Sequence, residues 1–597
     1  MKKTCLLFVT LIITAFFITC NNITDKPKTD SELLSVIIVS NETALTGETL
    51  TFTADNQNNY NDISVSWLIK SKPEDSTADI TPVDNKSMTI TFDKKGIYNI
   101  TVTVKRSSGA SRTVSKKITV FEISTNTIFV DLSYSGDDSD GTEARPFKTI
   151  QDGIDNADSG DTIKVAEGNY NENLCLKPDL GVLLYGGYQS GDFGVRDYEL
   201  YPTIITGSNT SPVIEFLYNG GSTDYQVVEI DGFTITGGKR GVNLVNSGNG
   251  GIALARVSNN IIDNNNTPEV DNLLGGGINI SDMIAVVSNN RISSNRATKA
   301  GGLNISFYTT EYSITVENNI IENNEIYSDH GAGTAIHAYK GIIKNNIFRN
   351  NRILEDWGWG GGLFINGNQF TGFTDDIYIE LSGNVYYGNM APTMGSGLFI
   401  DEGANVRMKN ELIYKNTTND ADRNGPLYVD GLRGTANART EGINITIADN
   451  TGFDGASGNA VVVEGGSYVY LRNSIFYNNH SGSNATDFVV SNTEDRTSSL
   501  TISYSTYNNG YSGNGTFNIT YSDKLDPLFA DNTNDDYHLR SITGRWDDNT
   551  ESWTTDSDTS PAIDAGKPSD SYSLEPLPNG YRVNRGAYGN TAEASKS

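Results

Sequence analysis

The chain has 597 residues, of which 37% are hydrophobic and 60 are glycine, and its formal net charge is -29. This composition is typical of many short strands joined by tight turns, and it excludes a largely helical protein. An acidic chain repels polyanions, and no basic run offsets the charge, so we predict no nucleic-acid binding.

Residues 1–20 have the pattern of an export signal. Lys2 and Lys3 precede an apolar core that stops at Cys20, and this core is shorter than the roughly 20 apolar residues of a spanning helix. The run FITC resembles the bacterial lipobox, in which the cysteine carries lipid, and an ordinary secretory leader is the alternative. The resemblance implies an exported outer-membrane lipoprotein, exposed at the cell surface and attached to the membrane through Cys20.

Residues 21–32 are polar and contain proline, as expected of a tether. Residues 33–123 then alternate apolar and polar residues in runs such as SVIIVS, SMTITF and SKKITVFEI, which predicts a small β-sandwich. The central Trp67 and the run KKGIYNITVTV resemble polycystic-kidney-disease-type (PKD) and immunoglobulin-like modules of bacterial surface proteins. The resemblance implies a spacer domain.

Residues 127–525 predict a parallel β-helix. A strand is followed by an amphipathic segment with Ile150, Ile154 and Ala157 on one helical face, then by a second strand. This order resembles the opening of secreted right-handed parallel β-helix proteins, in which a short helix covers the first coil. Nearby, Cys175 has no partner once Cys5 and Cys20 are accounted for, and we expect it to be buried as a small apolar residue.

The repeats of this region support the same fold. Pairs of adjacent asparagines begin at Asn259, Asn289, Asn318 and Asn345, and clusters such as GGGINI, GGLNI and GGGLFI alternate with them. One asparagine cluster and one glycine cluster per turn predict stacked coils with an apolar core and an asparagine ladder at one bend. The overall expectation is an all-β protein: a right-handed parallel β-helix preceded by a small immunoglobulin-like or PKD-like sandwich.

Two further resemblances concern the repeats themselves and the segment that follows them. The glycine clusters, together with FRNN and FYNN, resemble the repeats of the polymorphic outer membrane protein family, which are surface β-helices of the adhesin type. Residues 526–597, with the runs DPLFADNTNDDYHLRS and SPAIDAGKP, resemble the terminal segment of many secreted β-helix proteins. We expect this segment to be an extended cap that packs against the side of the coils.

The stretch RNNRILEDWGWGGGLFI contains the candidate ligand-binding residues. Trp357 and Trp359 are separated by two positions and are expected to face the same way, in a loop that also holds Glu355 and Asp356. Tryptophans near carboxylates suit carbohydrate stacking, and aromatic cover over the edge of a coil is the alternative.

No motif identifies catalytic residues. Arg349 and Arg352 could align with Arg296 across coils, and the alternative is that these arginines are solvated on the outer face. His330 and His337 are not placed together by their spacing, and an exposed turn is the simpler interpretation of His330. We predict no metal site and no cofactor, because the acidic triplet at residues 137–140 matches only a fragment of a calcium loop.

The sequence therefore favours a lipid-anchored surface β-helix protein that is adhesin-like or glycan-binding. Its partner would be a polysaccharide, or a glycan or protein of a cell surface. The first alternative is a polysaccharide lyase or glycoside hydrolase of the pectate-lyase-like superfamily, which requires ionisable side chains gathered on one face of adjacent coils. The second alternative is a structural spacer of the envelope.

Overall fold

A computed structural model describes the greater part of the chain. The described residues are 36–56, 62–177, 180–218, 225–247, 251–266, 273–310, 312–368, 370–372, 377–418, 425–431, 437–452, 459–479, 486–493 and 495–597. Cys20, the export signal and the tether lie outside these ranges. Within them, no helix has the length and apolar character needed to cross a membrane.

The chain forms two compact units, the smaller of which contains residues 49–91 and 97–118. The strands of this smaller unit come from two four-stranded sheets, as expected of a small sandwich, and the centroids of the Phe52 and Trp67 rings are 6.4 Å apart between these sheets. The first sheet has the spatial order Val36–Val39, Thr49–Asn56, Ser87–Thr91, Ile80–Pro82. The second has the order Thr43–Leu45, Ser111–Phe121, Gly96–Arg106, Ile63–Ser71.

The larger unit contains the predicted right-handed parallel β-helix, because its coils stack three long parallel sheets. Sheet 1 contains Thr127–Val130, Thr162–Ala166, Leu183–Gln189, Asp192–Arg196, Gln226–Asp231, Ala253–Ser258, Ile284–Ser288, Ile314–Glu317, Gly341–Lys344, Ile379–Ser382, Asn405–Lys409, Arg439–Ile443, Tyr468–Arg472, Ser499–Ser503 and Thr516–Thr520. The exception in sheet 1 is the strand Asp192–Arg196, which pairs antiparallel with Leu183–Gln189. Sheet 2 contains Gly168–Tyr170, Thr203–Thr206, Phe233–Thr236, Ile261–Asp263, Arg291–Ser293, Ile320–Glu322, Ile347–Arg349, Val385–Tyr387, Leu412–Tyr414, Thr446–Ala448 and Ile475–Tyr477. Sheet 3 contains Leu174–Leu176, Ile214–Tyr218, Val242–Asn246, Ile278–Ser281, Leu303–Ser306, Thr334–His337, Leu363–Asn366, Leu398–Asp401, Leu427–Asp430, Val461–Val463, Phe488–Val490 and Tyr511–Ser512.

Shorter sheets complete the larger unit. Sheet 4, between sheets 2 and 3, contains Arg296–Ala297, Glu325–Ile326, Arg352–Ile353, Met390–Ala391, Thr417–Thr418 and Thr451–Gly452. The strands Asp329–His330 and Gly358–Trp359 form a parallel pair. The last elements are the strands Phe529–Asp531 and Asp536–Leu539, the short 3-10 helix Asn532–Asn534 and the strands Arg545–Asp547 and Ser552–Thr554.

The helix Ile150–Asp155 covers the first coil. Its N-cap is Thr149, which accepts a hydrogen bond from the backbone of Asp152, and it buries Ile150 and Ile154. The expectation for Cys175 is wrong, because this residue is exposed. In the strand Leu174–Leu176 the two leucines point into the core, so the alternation of a strand turns Cys175 outward.

Two buried asparagine ladders hold the coils in register. In each doublet after sheet 1 the first asparagine takes a left-handed conformation, and the second is buried and bonds its equivalent in the next coil. The first ladder runs through Asn260, Asn290, Asn319, Asn346 and Asn384. The second runs through Asn265, Asn295, Asn324, Asn351, Asn389, Asn416, Asn450 and Asn479.

The C-terminal segment lies against the outer face of sheet 2. Phe529, Tyr537 and Leu539 form one apolar cluster with Tyr414 and Ile475 of that sheet. Tyr537 is fully buried, and its hydroxyl donates to Asp449 at 2.9 Å. The chain therefore returns along the side of the coils after the last strand of sheet 1.

Candidate functional site

The outer face of sheet 3 carries two rows of side chains. In its four-residue strands the first and third residues enter the core, so the second and fourth point outward. The fourth residues, which we call the polar row, are Ser281, Ser306, His337, Asn366, Asp401 and Asp430. The second residues of three successive strands, which we call the aromatic row, are Phe364, Phe399 and Tyr428. Successive members of a row stand about 4.8 Å apart, because this is the spacing of paired strands.

A histidine cluster lies at one end of the aromatic row. Lys299 Nζ is 2.5 Å from Asp329 Oδ2, and the other carboxylate oxygen of Asp329 is 2.5 Å from His330 Nδ1. The Nε2 atoms of His330 and His337 are 3.2 Å apart, and the His330 ring lies over Phe364 at 4.3 Å. The spacing of the two histidines does not predict this contact. It arises because Gly331, with a φ of 73°, reverses the chain between them.

Burial and neighbouring charges determine the protonation states of Asp329 and His337 in the histidine cluster. Burial raises the pKa of Asp329, but the hydrogen bond and charge of His330 and the ammonium of Lys299 outweigh it and hold this pKa below its usual range. Burial, together with the neighbouring charge of His330, lowers the pKa of His337 to about 3. His337 is therefore a neutral imidazole at physiological pH, and it retains partial solvent exposure.

Further along the polar row, three acidic groups come together. Asn366 Nδ2 donates to Asp401 Oδ2 at 3.1 Å and lies 3.5 Å from Glu402 Oε2. Burial, and then the charges of Asp430 and Glu402, raise the pKa of Asp401 well above its usual value. Asp401 consequently keeps its proton at pH values where an ordinary aspartate is ionised, which is the property of a general acid.

The four residues predicted as a ligand-binding loop lie beside the aromatic row. Trp359 is in register with His330, and its ring contacts Phe399 at 6.3 Å and Trp357 at 5.4 Å. Trp357 is 47% exposed, and Glu355 and Asp356 are exposed as well. The loop thus contributes one half-buried indole, Trp359, and one exposed indole, Trp357, beside the aromatic row.

The glycines between this loop and sheet 3 are required by close packing. A Cβ on Gly361 would lie 2.5 Å from the backbone oxygen of Ser396 in the next coil, and one on Gly362 would lie 2.5 Å from that of Gly397. The corner is therefore scaffold, and Trp359, directly before it, packs against Phe399 of the aromatic row.

The arginines of the middle coils belong to a different face. Arg296, Glu325 and Arg352 stand in one column of sheet 4, and Glu325 pairs with both arginines. The expected alignment is confirmed for Arg352 and wrong for Arg349, which is in register with Glu322 of sheet 2. Because Glu322 and Glu325 each bond two arginines, these cations are neutralised and form no cluster for an anionic ligand.

Sequence reasoning missed Asn366, Asp401, Glu402 and Asp430. A signal was present, because TAIH, GLFIN, GLFID and PLYVD each end on a polar residue at the same distance beyond the corner. Aligning the repeats at the glycine corner would have placed His337, Asn366 and the two aspartates in one column.

Three family models match parts of the chain. The model described as "Right handed beta helix region" matches residues 312–431, in agreement with the stacked parallel sheets. The model described as "Protein of unknown function (DUF1565)" matches residues 134–357. The model described as "Disaggregatase related" matches residues 374–566, which include Asp401 and Asp430.

Solved structures resemble the chain at low identity. Pectate lyase Pel9A is 12% identical over 78% of this chain and 96% of its own, with a TM-score of 0.30. The Yersinia enterocolitica family 28 exopolygalacturonase is 11% identical over 81% and 98%, with a TM-score of 0.25. XylC in complex with xylose is 11% identical over 68% and 87%, with a TM-score of 0.29. No curated protein matches the chain.

Proposed function

We propose that the protein is a glycoside hydrolase that binds a polysaccharide along the polar row. One observation carries the proposal: His337, Asn366, Asp401 and Asp430 occupy a single register column on four successive coils. A linear chain of sugars fits such a column, because the column presents polar groups at regular intervals. The aromatic row beside it is buried and serves as support for the polar row. The sequence by itself favours a binding protein, whereas this proposal assigns the protein a catalytic role.

The proposed chemistry uses the two aspartates. Asp401, which holds its proton, donates it to the glycosidic oxygen as the bond to the sugar breaks. Asp430, one coil or about 4.8 Å away, is assigned as the nucleophile, because a separation of about 5 Å leaves no room for a water between the two carboxyl groups. Its carboxylate bonds the sugar as the leaving group departs, and a water that Asp401 then deprotonates releases the sugar from Asp430. The neutral His337 and the indole of Trp357 would hold the sugars on either side through a hydrogen bond and ring stacking.

Hydrolysis of a neutral glycan is favoured over β-elimination of a uronate. An eliminating enzyme needs a free cation beside the uronate carboxyl group. Arg291, Arg296, Arg349 and Arg352 are paired with glutamates, and Lys299 is paired with Asp329. The net charge of -29 also opposes an acidic polymer.

The test is an activity screen of the purified protein on neutral and acidic polysaccharides, with reducing ends and unsaturated products measured separately. We expect reducing ends without unsaturated products, and a loss of about 100-fold or more in kcat for Asp401→Asn. Glu441→Gln, which removes an exposed carboxyl group from sheet 1, is the matched control and should retain activity. Unsaturated products, or full activity of Asp401→Asn, would refute the proposal.

A glycan-binding role without turnover is the second candidate, and the open indole of Trp357 favours it. In that case the screen yields no products, and retention of the protein on an immobilised glycan or on cells falls with Trp357→Ala. Retention that is unaffected by Trp357→Ala, without turnover, would instead favour a structural spacer.

We also propose that lipid on Cys20 anchors the protein at the outer membrane and the cell surface. The lipobox-like run in the sequence supports this proposal. Metabolic labelling with a radioactive fatty acid should mark the wild-type protein and not Cys20→Ser, and the variant should leave the membrane fraction. Labelling that persists in Cys20→Ser would exclude the anchor.

A further inference from the structure

A second group of convergent ligand atoms lies in the C-terminal segment. His538 is in the strand Asp536–Leu539, Asp548 directly follows the strand Arg545–Asp547, and Glu593 is near the end of the chain. One ring nitrogen of His538 and one carboxylate oxygen from each of Asp548 and Glu593 all lie within 4.8 Å of one another. Three separate parts of the segment therefore meet at one point.

Neighbouring groups fix the ring of His538. Its Nδ1 atom is 2.9 Å from Asp536 Oδ1, and the other oxygen of Asp536 accepts from Arg545 at 2.9 Å. The ring also stacks on Tyr588, with centroids 3.6 Å apart and an interplanar angle of 23°. Because Asp536 accepts the Nδ1 proton, Nε2 presents its lone pair. A carboxylate behind the imidazole is the usual way in which proteins orient a metal-binding histidine.

The Nε2 atom has no partner to satisfy it. The side chain of His538 is 0% exposed, and among the described residues nothing hydrogen-bonds this nitrogen. Leaving a buried polar atom without a partner destabilises the fold. The carboxyl groups of Asp548 and Glu593 are exposed and negatively charged, so a cation between the three ligand atoms would satisfy the nitrogen and relieve the repulsion between the acids.

We propose that His538, Asp548 and Glu593 bind one divalent transition-metal ion of the zinc class. An imidazole nitrogen with two carboxylates suits Zn²⁺ or Co²⁺, whereas Ca²⁺ and Mg²⁺ prefer oxygen ligands alone. The ligand atoms of a tetrahedral zinc site stand about 3.3 Å apart. Because these three atoms already lie within 4.8 Å of one another, a small movement of the exposed carboxyl groups would complete such a site with one water. The ion would tie the end of the chain to the strand and the hairpin of the same segment.

This site differs from the expectation of the sequence analysis, which predicts no metal. The three residues are 10 and 45 positions apart by subtraction of their numbers, so no short metal-binding motif exists. The proposal is independent of the hydrolase proposal, because none of its residues belongs to sheet 3.

The test uses the purified full chain, stripped with a chelator and then titrated with Zn²⁺ or Co²⁺. We expect one ion per chain and a higher melting temperature with Zn²⁺ than with Ca²⁺ or Mg²⁺. Asp548→Asn and Glu593→Gln should each weaken the affinity by about tenfold or more. Both side chains are exposed, so these variants should keep the fold, which circular dichroism verifies. Glu551→Gln, an exposed carboxyl residue of the same hairpin outside the group, is the matched control and should bind normally.

The imidazole pair of His330 and His337 is the competing location for such an ion. His337→Gln removes that pair and should leave the binding unchanged. The proposal is overturned if the stripped chain takes up neither Zn²⁺ nor Co²⁺. It is also overturned if both carboxamide variants bind like the wild type, or if His337→Gln alone abolishes binding.

Discussion

At the scale of single residues, Glu411 is an unusual member of the first asparagine ladder. It is fully buried where the preceding coils carry asparagine, and it accepts hydrogen bonds from Asn384 and, at 2.9 Å, from Tyr386. Burial raises the pKa of Glu411 to about 8, since the hydrogen bonds from Tyr386 and Asn384 only partly offset the loss of hydration. The residue is therefore protonated in the folded protein at neutral pH.

This shift predicts a pH-dependent gain of stability for Glu411→Gln. In the unfolded chain the carboxyl group ionises near pH 4.5, so wild-type stability falls as the pH rises from 4.5 to about 8. At pH 7 the free energy of unfolding of the wild type is lower by about 3 kcal/mol for this reason, and Glu411→Gln should restore that amount. Denaturant unfolding at pH 4 and pH 8 measures the effect. The exposed Glu441→Gln is the control, and an equal effect of Glu411→Gln at both pH values would contradict the prediction.

His337 is predicted to remain neutral between pH 8 and pH 5. Its pKa is lowered to about 3 by burial and by the adjacent His330, below the value of 6.5 for a free histidine. Because only the unfolded chain binds this proton as the pH falls through 6.5, His337 removes stability between about pH 6.5 and 3. Nitrogen NMR of labelled histidines follows the ring directly, with His337→Gln to assign its signals. A titration midpoint near pH 6.5 for His337 would show that burial and the adjacent His330 do not lower its pKa.

At the scale of elements, the asparagine doublets divide two tasks between neighbouring residues. Asn318 is exposed and takes a φ of 56°, which lets the chain turn between sheets 1 and 2. Asn319 is buried, donates to Val287 O at 2.9 Å and to Asn346 Oδ1 at 3.0 Å, and accepts from Asn290. The first residue shapes the corner, and the second supplies hydrogen bonds that backbone groups at the corner would otherwise lack.

We predict opposite results for substitutions at these two neighbours. Asn319→Ala leaves several buried donors and acceptors without partners and should lower the free energy of unfolding by about 3–5 kcal/mol. Asn318→Gly keeps the left-handed conformation available and should change the free energy of unfolding by less than about 1 kcal/mol. Thermal and denaturant unfolding of the two variants measure these changes, and similar losses of stability in both variants would argue against a structural ladder.

At the scale of the whole molecule, the C-terminal segment covers apolar surface of sheet 2 that the coils alone leave open. Tyr537 is central to this contact, since its ring packs against Tyr414 at 4.7 Å and its hydroxyl bonds Asp449. A segment held in this way protects one long side of the solenoid from solvent.

Tyr537→Ala should therefore loosen the segment. Removing a buried aromatic ring costs about 3–5 kcal/mol, so we expect faster proteolysis after residue 525 and increased binding of a hydrophobic dye. Tyr581→Ala, at a residue of the same segment that is 80% exposed, is the control and should behave like the wild type. Unchanged proteolysis of Tyr537→Ala would mean that the segment is held by other contacts.

The local patterns of the chain determined the architecture. Apolar alternation, asparagine pairs and glycine corners are properties of neighbouring residues, and their repetition along the chain was enough to predict the parallel β-helix and an asparagine ladder at one bend. The structure has two such ladders. The same reasoning failed for Cys175, because the direction of one side chain depends on the register of its strand with the next coil.

The candidate site was decided by the tertiary structure. His330 and His337 meet because a corner folds the chain back, and Asp401 and Asp430 meet because two coils of unequal length are in register at sheet 3. His538, Asp548 and Glu593 converge through the return of the chain end. The protonation states of the ionisable groups also depend on the tertiary structure, because burial and neighbouring charges set each pKa. The sequence thus fixes which surfaces repeat, and stacking decides which ionisable groups come within reach of one another.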